Sequence, residues 1–392
     1  MTMRSHRPAT VAVALAALAA PSLTACTTAP PAARVPPVGT VTRPPATTVP
    51  ALRRLVEDGA PGAASLVTRD GRFSASRFAT VGVADLRSGR RMAARDHFRA
   101  GSLTKTLVAT VVLQLVAEGR LALDGTAAAH LPPGVPATGD GADLRKVTVR
   151  QLLDHTSGLF NYTDDRRLSR QLYGKGFGAH RYDRYTPAEL LRIALGHPPT
   201  AAPGARYSYS NTNYLVLGMI IKAVTGHPYA AEIRRRILVP AGLDDTSFPG
   251  TDPTLPAPHG RAYSRIGDRR VDATSLDPSR AGAAGEMVTT LGDLNRFFSA
   301  LLAGAFLPPR QMAEIRSEKR TGGTYGLGLY ATELPCGVTV WGHNGDINGS
   351  FAQTAGSADG RHVVSYRVNT DAADRAHGTG VLTSEFCPAP HA

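Results

Sequence analysis

Strand-like segments sit at both ends of the folded part of this chain, and helix-like segments fill the middle. Near the amino end, residues 63–67 and 78–83 read as strands separated by the turn Arg69-Asp70-Gly71-Arg72. Near the carboxyl end, residues 326–330, 339–342, 349–354 and 363–368 read the same way. A first helix is marked by Leu52, Leu55 and Val56, and another runs from Ser102 to about Gly119. Further helices are expected at 149–154, 187–195, 212–224, 229–237 and 291–302, with Thr186 capping and Pro187 in the first turn of its helix. This layout predicts an α/β (α+β) fold. One sheet flanked by helices is built from both chain ends (51–123 and 286–390), with a mostly helical region (124–285) inserted between them.

With 392 residues, 42% hydrophobic and 19% charged, the chain has ample material for a core. Its net charge of +13 is scattered, densest at Arg234-Arg235-Arg236 and Arg269-Arg270. No helix-turn-helix, zinc-finger or RNA-binding signature accompanies it, so nucleic acid is not an expected partner. A basic exterior suits an anionic cell envelope.

The amino terminus reads as an address. Arg4 and Arg7 precede an apolar run at 11–20, too short to span a bilayer and fitting a signal-peptide core. Leu23-Thr24-Ala25-Cys26 follows and resembles a lipobox, which predicts a leader at 1–25, lipidation of Cys26 and attachment to the membrane. The other reading is an ordinary signal peptide with an incidental cysteine. Residues 26–50, rich in Pro, Ala and Thr, read as a disordered tether. In an exported chain the remaining pair, Cys336 and Cys387, is most simply a disulfide. With no H-E-x-x-H or C-x-x-C motif, neither a metal nor a cofactor is expected. A monomer is expected.

Three short stretches carry chemistry. Ser102-Leu103-Thr104-Lys105 places a hydroxyl and an amine one helical turn apart on the same face. A serine hydroxyl is a weak nucleophile until a neighbouring base takes its proton. Tyr209-Ser210-Asn211 precedes a predicted helix, and His343-Asn344-Gly345 follows a predicted strand. Read singly, a Tyr is more often a buried ring with a satisfied hydroxyl, and a His in a strand turn more often structural.

In this order the three stretches resemble the penicillin-recognising, β-lactamase-like serine hydrolases of the DD-peptidase kind. Leu153-Asp154-His155-Thr156-Ser157-Gly158-Leu159 and Tyr325-Gly326-Leu327-Gly328-Leu329 extend the likeness over residues 51–387. The resemblance implies an acyl-enzyme at Ser102, with Lys105 or Tyr209 as base, a question disputed among such enzymes. It implies that Asn211 binds the substrate amide and steadies Lys105. The N–H groups of Ser102 and Asp346 would form an oxyanion hole, with Gly345 beside them. Phe160 and Thr163 would line the pocket, His343 would support the Tyr209 proton relay, and Cys336 would pair with Cys387. The implied activity is a D-alanyl-D-alanine carboxypeptidase acting on peptidoglycan stem peptides and acylated by β-lactams. A β-lactamase, an esterase, a D-amino-acid peptidase or a penicillin-binding module without turnover could share the scaffold.

The pattern departs from that family at the carboxylate-binding wall. The threonine expected after the histidine is Asn344, the arginine expected after Y-G-L-G-L is Tyr330, and a family tryptophan corresponds to Arg280. Losing a bidentate Arg–carboxylate contact matters for substrate choice. Arg280 is expected to supply the missing cation, and Asp346 to disfavour anionic substrates.

Overall fold

A computed structural model describes residues 47–372 and 375–387. The leader, most of the tether and Cys26 lie outside the described residues. Six strands form one antiparallel sheet: β1 (Gly62–Thr68), β2 (Arg77–Gly82), β3 (Tyr330–Glu333), β4 (Thr339–Ile347), β5 (Ser350–Gly356) and β6 (Val363–Val368). Their order is β2-β1-β6-β5-β4-β3, so the two chain ends meet where β1 pairs with β6, Ala63 opposite Val368. β6 is buried at all six positions, because helices cover both faces of the sheet. On one face lie α1 (Val49–Glu57) and the C-terminal helix (Arg375–Phe386), around Leu52, Leu55, Val364 and Tyr366. The other face packs on the main core, which includes α2 (Thr104–Ala117), α3 (Asn211–Thr225) and α4 (Leu291–Leu302).

α2 is apolar on nearly every side and is buried from Thr104 to Leu113, as a helix with no polar stripe must be. It is the post around which sheet and helical region are joined. No described helix is long and apolar enough to cross a membrane.

Several boundaries differ from expectation. The fold starts before residue 51: Thr48 is buried against the Ser65 hydroxyl, and Pro50 lies in the first turn of α1, where its missing N–H costs nothing. Residues 326–329 are not a strand but a turn, with Gly326 N–H donating to the Leu329 carbonyl. Gly328 has φ +86°, and a Cβ there would meet Ala109 and the Tyr214 hydroxyl, so glycine lets the turn lie against α2. The helix expected at 229–237 leaves α geometry after Ile233 for one wider turn, Arg234–Leu238, ahead of Pro240. The inserted region also holds a hairpin, Tyr263–Ile266 with Arg269–Asp272. The C-terminal helix and the short helix Arg166–Leu172 have no counterpart in the sequence reading. Cys336 and Cys387 are joined as a disulfide.

Candidate active site

Ser102 sits in the tight turn Gly101–Leu103 that leads into α2, near the positive end of the helix dipole. Two glycines allow this turn to touch the sheet. Gly101 has φ +54°, and a Cβ on it would lie 2.7 Å from the Asp346 nitrogen. A Cβ on Gly345 would lie 1.8 Å from the Ala100 oxygen and 2.9 Å from the Ser102 nitrogen. β3 pairs with β4 only as far as Gly342. The stretch of β4 beyond it, including Gly345 and Asp346, thus runs beside the nucleophile, bringing the Ser102 and Asp346 amides to one place.

Ser102 Oγ receives two hydrogen bonds, from Lys105 Nζ at 2.9 Å and from the Tyr209 hydroxyl at 2.9 Å. Lys105 has no exposed surface. Its amine also donates to Asn211 Oδ1 at 2.8 Å and to the Ala284 carbonyl at 2.6 Å. Burial holds its pKa well below the ordinary lysine value, because a cation loses its hydration there. Burial pushes Tyr209 the other way, so its phenol keeps its proton more tightly than a free tyrosine. Asn211 opens α3; its N–H donates to Asn161 Oδ1 at 3.0 Å, and its amide reaches toward Thr163 Oγ1 at 3.5 Å. Phe160 stands on the same wall, its ring stacked on His197 with centroids 4.0 Å apart. Ser102, Lys105, Tyr209, Asn211, Thr163, Gly345 and Asp346 are therefore gathered around one point.

Two expectations are corrected. The His343 imidazole does not reach Tyr209. Its Nδ1 bonds the Asn344 carbonyl and its Nε2 pairs with the Tyr325 hydroxyl at 2.7 Å. Since a carbonyl only accepts, Nδ1 carries the proton and Nε2 accepts from Tyr325. Burial takes its pKa down to about 3, so it is a neutral strut. Arg280 does not present its charge to the cleft. It is 3% exposed, and its Nη2 donates to the Leu172 carbonyl at 2.6 Å. The guanidinium lies 5.7 Å from the ring centres of Tyr173 and Phe177. A side chain reaching inward from this position is held by the carbonyl and rings it meets. Asn344 and Tyr330 are joined, the Tyr330 hydroxyl donating to Asn344 Oδ1 at 3.0 Å.

His155 is a residue to which the sequence reading assigned no role. It is fully buried with φ +58°, a conformation uncommon outside glycine. Its ring lies against that of Tyr209, centroids 4.2 Å apart and planes 31° from parallel. Its stretch was visible in the sequence, but nothing local there signalled a ring contact with a residue 54 positions later.

A nucleophile on a helix start, a buried amine, a phenol and a strand edge bearing backbone N–H groups define a serine acyl-transfer hydrolase. The chain belongs to the Beta-lactamase family, whose model matches residues 48–381. A D-stereospecific amidohydrolase from Streptomyces superposes with a TM-score of 0.80 at 42% identity, over 88% of this chain and 99% of that one. Esterase EstB of Burkholderia gladioli is 32% identical over 69% of this chain and 71% of its own length. Penicillin-binding protein 4 of Amycolatopsis lactamdurans is 30% identical over 76% and 77%.

Proposed function

We propose that this serine hydrolase transfers the acyl group of D-aminoacyl amides and esters to water, favouring substrates without a free terminal carboxylate. The observation that carries this is the Tyr330–Asn344 pair, neutral and hydrogen-bonded to itself at the wall where a carboxypeptidase needs a cation. Burial of Arg280 against Tyr173 and Phe177 supports it. So does likeness to an amidohydrolase and an esterase. The carboxypeptidase reading shares Ser102, Lys105 and Tyr209, and is favoured by likeness to a penicillin-binding protein.

Ser102 Oγ attacks the acyl carbon. Lys105 takes its proton, because burial lowers the amine and raises the phenol, leaving the amine as the accessible base. The carbonyl oxygen turns to the Ser102 and Asp346 N–H groups. Tyr209, protonated and already on Oγ, hands its proton to the departing amine or alkoxide and regains one from Lys105. Water then repeats the steps on the acyl-enzyme. We further propose export and lipid anchoring at Cys26, on the sequence of residues 1–50; labelled palmitate is expected on the parent chain and absent from Cys26→Ala.

The test compares kcat/KM on D-alaninamide and D-alanine methyl ester with that on diacetyl-L-lysyl-D-alanyl-D-alanine. A preference of about tenfold or more for the neutral substrates is expected, the scale of one charge-assisted hydrogen bond. A preference for the tripeptide restores the carboxypeptidase reading, and turnover retained by Ser102→Ala overturns both.

A further inference from the structure

We propose that His155 is the positioning residue that fixes the Tyr209 phenol on Ser102; this rests on the reading of Ser102 and Tyr209 as the reacting pair. The geometry begins with the tautomer. His155 Nδ1 meets two donors, the Ser210 backbone N–H at 3.2 Å and Asn213 Nδ2 at 3.1 Å. The Asn213 amide cannot be reversed without cost, because its Oδ1 accepts the Ser157 hydroxyl at 2.6 Å. Nδ1 is therefore an acceptor, and the ring proton sits on Nε2. Nε2 is buried and makes no hydrogen bond, an arrangement normally selected against unless the ring serves some purpose.

That ring is a platform. One face lies against Tyr209 at 4.2 Å, while Tyr214 stands 5.3 Å and Tyr325 4.9 Å from its centre. The two donors that fix it come from the start of α3, and Ser210 is the residue after Tyr209. His155 thus holds Tyr209 in two ways at once: through the next peptide unit, and through its ring. A phenol with three rotatable bonds between backbone and proton needs such support to stay 2.9 Å from Oγ. The left-handed backbone at His155 is the strain this arrangement tolerates. An imidazolium would have to give up both of the bonds accepted at Nδ1, so the platform stays uncharged beside Lys105.

His155→Asn separates the two functions. Asn places an oxygen near the Nδ1 position and tolerates positive φ, so the α3 start keeps its acceptor while the ring is lost. The acylation rate is read by intact mass with benzylpenicillin and with a neutral D-aminoacyl ester, alongside KM and the melting temperature. We expect a fall in rate of about tenfold or more with KM within about twofold, the signature of an interaction made in the transition state. The same substitution is then made in Tyr209→Phe. If His155 acts through the Tyr209 hydroxyl, it costs less than about twofold there, since residues acting as a unit are not additive. An unchanged rate in His155→Asn overturns the proposal, and so does an equal loss in the two backgrounds, which is what a merely structural residue would show. Should His155→Asn fold poorly, His155→Gln is read by the same cycle. Failure of the underlying reading is distinct: Ser102→Ala would then still form the adduct.

Discussion

The Tyr330 hydroxyl donates to Asn344 Oδ1 at 3.0 Å, joining the first residue of β3 to the middle of β4. On the proposed function, this pair stands where a carboxylate clamp would be, and the choice of substrate turns on two side chains outside the nucleophile. The double change Tyr330→Arg with Asn344→Thr removes the pair and restores a cation and a hydroxyl. We expect kcat/KM for diacetyl-L-lysyl-D-alanyl-D-alanine to rise relative to D-alaninamide by roughly tenfold or more, the scale of one charge-assisted bond. An unmoved ratio shows that the wall does not set preference.

The opposed shifts of Lys105 and Tyr209 fix the sign of two pH effects. A base acts in its deprotonated form, so kcat/KM for a neutral ester should rise with pH through a limb belonging to Lys105. That limb lies well below the ordinary lysine value of 10.5, because burial lowers it. Lys105→Met should abolish the limb and cost on the order of a thousandfold in rate. Stability follows the same shift. Between the folded and the unfolded pKa of Lys105, the unfolded chain binds the extra proton, so stability rises with pH across that window and the effect is complete above about 10.5. Urea unfolding at several pH values should show this slope reduced in Lys105→Met.

What was legible in the sequence was what short spacing decides. Ser102 and Lys105 are one turn apart, and helical geometry alone puts them together. Tyr209 with Asn211 likewise straddles the start of α3. What stayed hidden depends on distant packing. His343 was expected just after a strand at 339–342, whereas β4 runs on through it to Ile347, and its partner is decided by Tyr325, next to the residues 326–329 that turn instead of forming a strand. Arg280 looked like a free cation because a sequence does not say which way a long side chain turns. The C-terminal helix contains Gly378 and Gly380, weak helix formers; its packing with α1 against the sheet, and the disulfide after it, hold it in place.

The disulfide joins the residue after that helix, Cys387, to Cys336 in the β3–β4 connection, across 51 residues. Cross-links of this span restrict the unfolded chain by roughly 2–4 kcal/mol. The paired change Cys336→Ser with Cys387→Ser should lower the melting temperature by several degrees, an amount typical of such a loss in a large domain. Ester turnover at room temperature should stay within about twofold, because neither cysteine touches the site and separated sites act independently. Loss of turnover at a retained melting temperature would show that this edge of the sheet governs the cleft.

The closest approach of sheet and nucleophile gives the most local test. At Gly345 a methyl group would sit 1.8 Å from the Ala100 oxygen and 2.9 Å from the Ser102 nitrogen, backbone atoms on a buried turn. They can yield only by moving the turn that carries Ser102. Gly345→Ala should therefore push β4 away from Gly101 and widen the space between the Ser102 and Asp346 amides. Overpacking of this kind costs about 1–3 kcal/mol of stability. An oxyanion site is more sensitive to position than the fold is, since misplacing one donor costs about a hundredfold or more in rate. The expected outcome is folded protein with a modestly lowered melting temperature, and acylation by a neutral D-aminoacyl ester slowed by about a hundredfold. Gly304→Ala is the control: it has φ +82° but nothing within 4 Å of the added carbon, so it should lose some stability and keep its acylation rate.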